Sequence, residues 1–171
     1  TFDSMTYMQY SQYNDSGADM DLNQDYRAIR WMQDNIKGSP VIVEGNTIEY
    51  HWGTRYTIYT GLPGVVGWSW HQRQQRALFP GDWVTARIDE ITNFYNTRDL
   101  VAAKAFLAKY NVKYIIVGQM ERNMYNPDGV AKFEQGNGSS WKEVYREADT
   151  VIYEVIPVLA RDEVIPALAR D

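Results

Sequence analysis

A helix followed by a short strand of buried character occurs twice in this chain, and no other feature constrains its fold as much. In the first copy Asp21 is placed to cap a helix, and Gln24 three residues on comes close to a capping box. Leu22, Ile29, Met32 and Ile36 then recur at helical spacing, Gly38 stands at a helix C-terminus, and Pro40 precedes the apolar run Val41-Ile42-Val43. In the second copy Leu100, Ala103, Leu107 and Tyr110 share one face of a helix over Arg98 to Tyr110. Lys113-Tyr114-Ile115-Ile116-Val117 follows as the strongest strand in the chain, closed by Gly118. Strands without polar alternation are buried on both faces, and helix–strand alternation marks βαβ units. The expected fold is therefore α/β, a mainly parallel, three-layer, Rossmann-like sheet. Trp141 to Arg146 and Thr150 to Ile156 would add an antiparallel hairpin at its edge, turning at Glu147-Ala148-Asp149.

At 171 residues the chain fits one domain. Residues 1–20 show no sustained period and read as an irregular lead-in, 21–156 as a single α/β domain, and 157–171 as a tail. The end carries a tandem echo, Val155-Ile-Pro-Val-Leu-Ala-Arg-Asp and Val164-Ile-Pro-Ala-Leu-Ala-Arg-Asp, too short for a solenoid. Opening at Thr1 with no initiator Met, the chain reads as a piece of a larger protein.

Between Glu44 and Trp70 periodicity fails, and Gly, Thr, Tyr and Trp gather. Thr57-Ile58-Tyr59 and Val65-Val66 read as short strands, and Trp68 to Leu78 as a helical turn or two. A helix follows from an Asp82 cap, carrying Val84, Ile88, Ile91 and Tyr95. Aromatic content matters here: 13 Tyr and 6 Trp suit either a Tyr-rich core and rim or a surface for sugars, partners or membrane. A net charge of −5 with no Lys or Arg run argues against a nucleic-acid partner. Absence of Cys removes disulfides and thiolate chemistry. No apolar run reaches the roughly 20 residues that span a bilayer.

The stretches Ala28 to Ile36, Pro40 to Glu44, Arg55-Tyr-Thr-Ile-Tyr-Thr-Gly-Leu-Pro63, Gly67-Trp68 and His71 stand in one order. They are followed by Tyr110 to Gly118, Glu121-Arg122, Tyr125 and Ile152 to Val155. Together they resemble the C-terminal soluble region of the large, very hydrophobic archaeal and Chloroflexi membrane proteins named for a YYY motif. That family's many-helix body is similar to C-type glycosyltransferases, which take sugars from polyprenyl-phosphate donors. The resemblance implies an accessory domain on the extracytoplasmic face of the membrane, with the catalytic acid in the membrane body of the same polypeptide. Its partners would be that body and a glycan acceptor or polyprenyl-phosphate sugar. The rival expectation is a module that caps the membrane body or self-assembles without a ligand.

Glu44 follows a buried strand, where ligands of open α/β sheets collect, and it either orients a ligand or pairs with Arg55. Arg55, beside Tyr56, has the planar fork that holds phosphate or carboxylate at two points. Thr60-Gly61-Leu62-Pro63-Gly64 is a turn whose amides could meet an anion, though it lacks a P-loop's Lys-Ser/Thr and G-x-G-x-x-G spacing. Trp68, His71 and Arg76, with Trp70 and Arg73, make an aromatic and basic cluster suited to a sugar beside a phosphate, a lipid headgroup region, or a solvated helix face. The only histidines, His51 and His71, lie twenty positions apart with no third ligand in spacing, so no metal site is expected. No cofactor motif, nucleophile elbow or converging carboxylate pair is visible, and Asp89 and Glu90 diverge as helix neighbours.

Overall fold

The computed structural model describes residues 3–15, 17–79 and 81–157. From residue 158 on, which includes most of the terminal echo, the chain lies outside the described residues. Where residues 1–20 show no period, a 3-10 turn (Thr6–Gln9) leads into an antiparallel hairpin of β1 (Gln12–Asp15) and β2 (Ala18–Asp21). Helix α1 (Leu22–Asn35) starts at the expected cap, with the Asp21 carboxylate accepting from the Asn23 amide at 3.0 Å. Then come β3 (Val41–Val43), α2 (Arg55–Thr60), α3 (Ser69–Gln75), α4 (Trp83–Asn96), α5 (Leu100–Lys109) and β4 (Val112–Val117). Two short helices, α6 (Gln119–Met124) and α7 (Pro127–Gln135), precede the closing strands β5 (Trp141–Glu147) and β6 (Thr150–Val155).

The main sheet has four strands in the order β3-β4-β6-β5. Only β3 and β4 run parallel; β4 with β6 and β6 with β5 are antiparallel. This corrects the expected mainly parallel, Rossmann-like sheet to a mixed, mostly antiparallel one within an α/β fold. The reason is that a continuous apolar strand reports burial on both faces, not direction. Here helices cover both faces of antiparallel strands too. Ile42, Ile116 and Ile152 face a cluster with Met5, Met8, Ala28, Ile29 and Met32 from the 3-10 turn and α1. Val43, Ile115, Val117, Val151 and Tyr153 face the opposite cluster, built by α4, α5 and α7 through Ile91, Phe94, Tyr95, Phe106, Leu107 and Phe133. The register places Ile116 opposite Ile152 and Ile115 opposite Tyr153, so alternation along each strand feeds both cores.

The hairpin of β5 and β6 forms as expected, but β6 enters the middle of the sheet against β4, and of the two only β5 lies at an edge, opposite the β3 edge. The segment 57–59 is not a strand: it belongs to α2. Val65 and Val66 are buried outside any strand, next to a single bridge between Ile42 and Gly64.

Candidate functional site

Glu44 leaves the C-terminal end of β3 with both oxygens occupied. They accept the amides of Tyr56 at 3.0 Å and Thr57 at 2.8 Å, in the first turn of α2. Thr54, the residue before that helix, makes no side-chain cap, so the Glu44 carboxyl supplies the acceptors for the first amides of the helix. Thr54 sits in the left-handed region at φ 64°, costly for a β-branched residue, and this turn delivers Arg55 into the core.

Arg55 is 1% exposed, and each of its three guanidinium nitrogens donates to a buried partner. Nε donates to Asp25 Oδ2 at 2.7 Å, and Nη1 and Nη2 donate to Glu121 Oε1 and Oε2 at 3.2 and 3.0 Å. Glu44 Oε2 lies 3.8 Å from Nη1, the weakest of the three pairings. Asp25 also receives the Tyr56 hydroxyl at 2.9 Å and the Trp52 indole at 2.7 Å. Glu121 receives the backbone amides of Gly45 and Gly118, both at 2.8 Å. A Cβ at Gly45 would stand 3.0 Å from a Glu121 oxygen, which explains glycine at this close approach.

One guanidinium thus meets three buried carboxylates. Burial pushes Glu44 up to about 7, against the pull of Arg55 and the two α2 amides. Burial works the same way on Glu121, but Arg55 and two backbone amides outweigh it and hold that carboxyl below its ordinary range. Burial disfavours charge on Arg55 as well, yet Asp25 and Glu121 raise its pKa further still. Excess negative charge is relieved at Glu44, the group with the fewest cationic contacts. The network clamps α1, α2, α6 and the end of β3 to one another, and its charged groups are buried from solvent.

The candidate residues therefore fall into separate places. Glu44, Arg55 and Tyr56 are sealed in this clamp. The Thr60 hydroxyl donates to Tyr56 O at 2.6 Å and accepts the Leu62 amide, while the Gly61 amide donates to Thr57 O, so the expected anion-cradling turn spends these donors on itself. Trp68 and His71 are brought together: their rings lie 5.3 Å apart, and both meet Tyr50, at 6.2 and 6.4 Å. Tyr50 is 78% and Trp68 40% exposed, so this is an aromatic face open to solvent. Glu49 fixes it, accepting the Ser69 hydroxyl and the Trp70 amide at the start of α3. Arg76 lies apart, its guanidinium 5.0 Å from the centre of the Trp83 ring.

Asp25, Glu121 and Tyr50 were not singled out as site residues from sequence. Two of them carried a signal. Asp25 is a carboxylate on the buried stripe of α1 between Leu22 and Ile29, and Glu121 stands three residues after Gly118 at capping-box spacing. Tyr50 is one aromatic among many, and only the loop geometry selects it.

At the carboxyl end of β3, a cleft of about 310 Å³ is lined by Met20, Thr47, Ile48, His51, Met120 and Met124, among others. Among the described residues no group of three or more His, Asp or Glu is placed to hold a metal ion. No helix among them is long and apolar enough to cross a membrane.

No protein-family model matches the sequence, and no curated protein does. Among solved structures, the chain is similar to the C-terminal globular domain of an oligosaccharyltransferase from Archaeoglobus fulgidus. The TM-score is 0.49 and the identity 14%, with 77% of this chain and 95% of that one covered. A likeness of that size carries no argument about what this chain does.

Proposed function

We propose that this chain is an extracytoplasmic accessory domain of a polytopic glycosyltransferase-like membrane protein of the YYY type. In this reading it recognises the sugar of an acceptor or of a polyprenyl-phosphate donor through Tyr50, Trp68 and His71. The observation that carries the reading is the solvent-open aromatic face, whose two segments Glu49 ties together by accepting from Ser69 and Trp70. Aromatic rings with polar edges stack on the apolar faces of sugars while leaving hydroxyls free to hydrogen-bond, and a face fixed before binding loses little entropy on contact. Glu44, Arg55 and Tyr56, sealed in the buried clamp, make no ligand contact of their own in this reading. The membrane body of the same polypeptide would supply the chemistry.

Binding of the chain to glycan and polyprenyl-phosphate-sugar arrays tests this. Tyr50→Ala and Trp68→Ala are each expected to weaken binding by about fivefold or more, the loss typical of a central aromatic contact, with the melting temperature unchanged. Arrays on which neither variant differs from the parent chain would overturn it. A second reading, a ligand-free module that caps the membrane body or self-assembles, is favoured by the sealing of Glu44 and Arg55, which leaves His71 without the polar cleft a ligand site would share with them. It predicts no array binding, and loss of association with the membrane body in the same two variants.

A further inference from the structure

Beyond α3 the chain makes a projecting turn whose side chains face solvent: Leu78 is 99% exposed and Phe79 66%. Two large apolar side chains in sequence, both outside the core, are uncommon on a surface that serves only solubility. The turn is built, with the Phe79 amide donating to Arg76 O at 2.9 Å. Phe79 shares an open recess of about 250 Å³ with Trp83, Arg76 and Arg87. Both guanidiniums lie over the Trp83 ring, at 5.0 and 4.6 Å from its centre. Neither makes an ion pair among the described residues; Arg87 Nη1 donates only to Val65 O, at 3.3 Å. The third arginine nearby, Arg73, is already neutralised by Asp82 at 3.3 Å.

Charge sets this corner apart from the rest of the molecule. Residues 68–87 hold three arginines and one aspartate, in a chain whose net charge is −5. On α4, Glu90 is held mainly by Lys109 at 2.7 Å and only secondarily feels Arg87, and Asp89, two residues after Arg87, is turned about 200° round the helix from it. At physiological salt, charges beyond about 8 Å are screened, so a docking surface here feels mainly Arg76 and Arg87.

From these observations we infer that the Leu78–Phe79 turn is a membrane-surface contact, inserting its two apolar side chains between lipid headgroups while Arg76 and Arg87 meet lipid phosphates. Apolar side chains at a tip, a tryptophan at their base and arginines at the level of that ring reproduce the order of layers in a bilayer interface: acyl boundary, aromatic belt, phosphate. A protein partner would favour a wider apolar surface with buried, paired charge, whereas here an exposed Arg76 and a half-buried Arg87, neither ion-paired among the described residues, stand beside a small apolar point. The inference does not depend on sugar recognition, which uses other residues.

The full chain can be sedimented at low salt with vesicles of phosphatidylcholine alone and of phosphatidylcholine mixed with phosphatidylglycerol. Binding to the anionic vesicles is expected, weakened by added salt. Arg76→Gln and Arg87→Gln should each reduce the partition coefficient by about fivefold, the effect of one basic residue near an anionic surface. The double variant Leu78→Ser, Phe79→Ser should reduce it by about tenfold or more through lost apolar burial. All these positions are exposed or half-exposed, and circular dichroism confirms that the variants fold. Absence of binding to anionic vesicles, equal binding by the Leu78→Ser, Phe79→Ser variant, or a concentration-dependent dimer that this variant abolishes would overturn the inference.

Discussion

At Arg55 a single guanidinium, with one positive charge, faces three buried carboxyl groups, and the consequences are measurable. Arg55→Leu leaves Asp25 and Glu121 buried without their cationic partner, a change expected to cost about 3–5 kcal/mol. For a chain of this size that is a fall in melting temperature of roughly 10 °C, readable by thermal or urea denaturation. Glu44 gives a pH signature. Its folded-state pKa is raised from 4.5 to about 7 by burial, so between those values the folded state holds a proton that the unfolded chain releases. Its stabilising contribution is complete below 4.5 and is lost as pH rises through 7, a change of roughly 3 kcal/mol. Glu121, whose pKa is depressed, acts in the opposite sense and only as the pH falls below its ordinary range. Glu44→Gln should flatten the decline in stability between pH 5 and 7, and a decline of the same slope in that variant would assign the effect elsewhere.

Among the elements, α2 shows most clearly how tertiary contacts override local preference. Tyr56, Thr57, Ile58, Tyr59 and Thr60 favour a strand by propensity. The Glu44 carboxylate on the first amides, and the burial of Arg55 and Tyr56, make the segment a helix instead. The contact of α4 with α7 is as tightly determined. A Cβ on Gly129 would stand 2.4 Å from the backbone oxygens of Tyr95 and Asn96, which cannot swing aside. Lys132, buried in the same contact, donates to Tyr95 O and Gly129 O at 3.0 and 2.9 Å, and burial pushes it down to about 7. Gly129→Ala is therefore expected to cost about 1–3 kcal/mol, while Gly67→Ala, which meets only the flexible end of Gln72, serves as the near-neutral control. Equal melting temperatures for the two variants would contradict this packing.

On the scale of the whole molecule, the sheet and the segment 44–83 are held by different forces. Strands β4 and β6 have a neighbour on each side and apolar cover on both faces. Their amides should exchange with solvent most slowly, near the global unfolding limit. Helix α3 is short and packs mainly on α4, so its amides should exchange far faster. Hydrogen-exchange mass spectrometry checks this, and equal protection of α3 and β4 would refute it.

Sequence by itself determined α1, α4, α5, β3, β4 and the closing hairpin, because each rests on a local signal: a cap, a 3.6 or 2 period, a turn. The same apolar runs fixed which residues are core but left strand direction open, since burial on both faces looks alike in parallel and antiparallel strands. Tertiary structure alone decided that β6 pairs with β4, that α2 is a helix, and that Asp25 and Glu121, 96 positions apart in the chain, close on one arginine. It also divided the Glu44–Arg76 candidates into a sealed clamp, an open aromatic face and an isolated arginine. Those outcomes depend on contacts between segments distant in sequence, and such contacts leave no period for a local pattern to reveal.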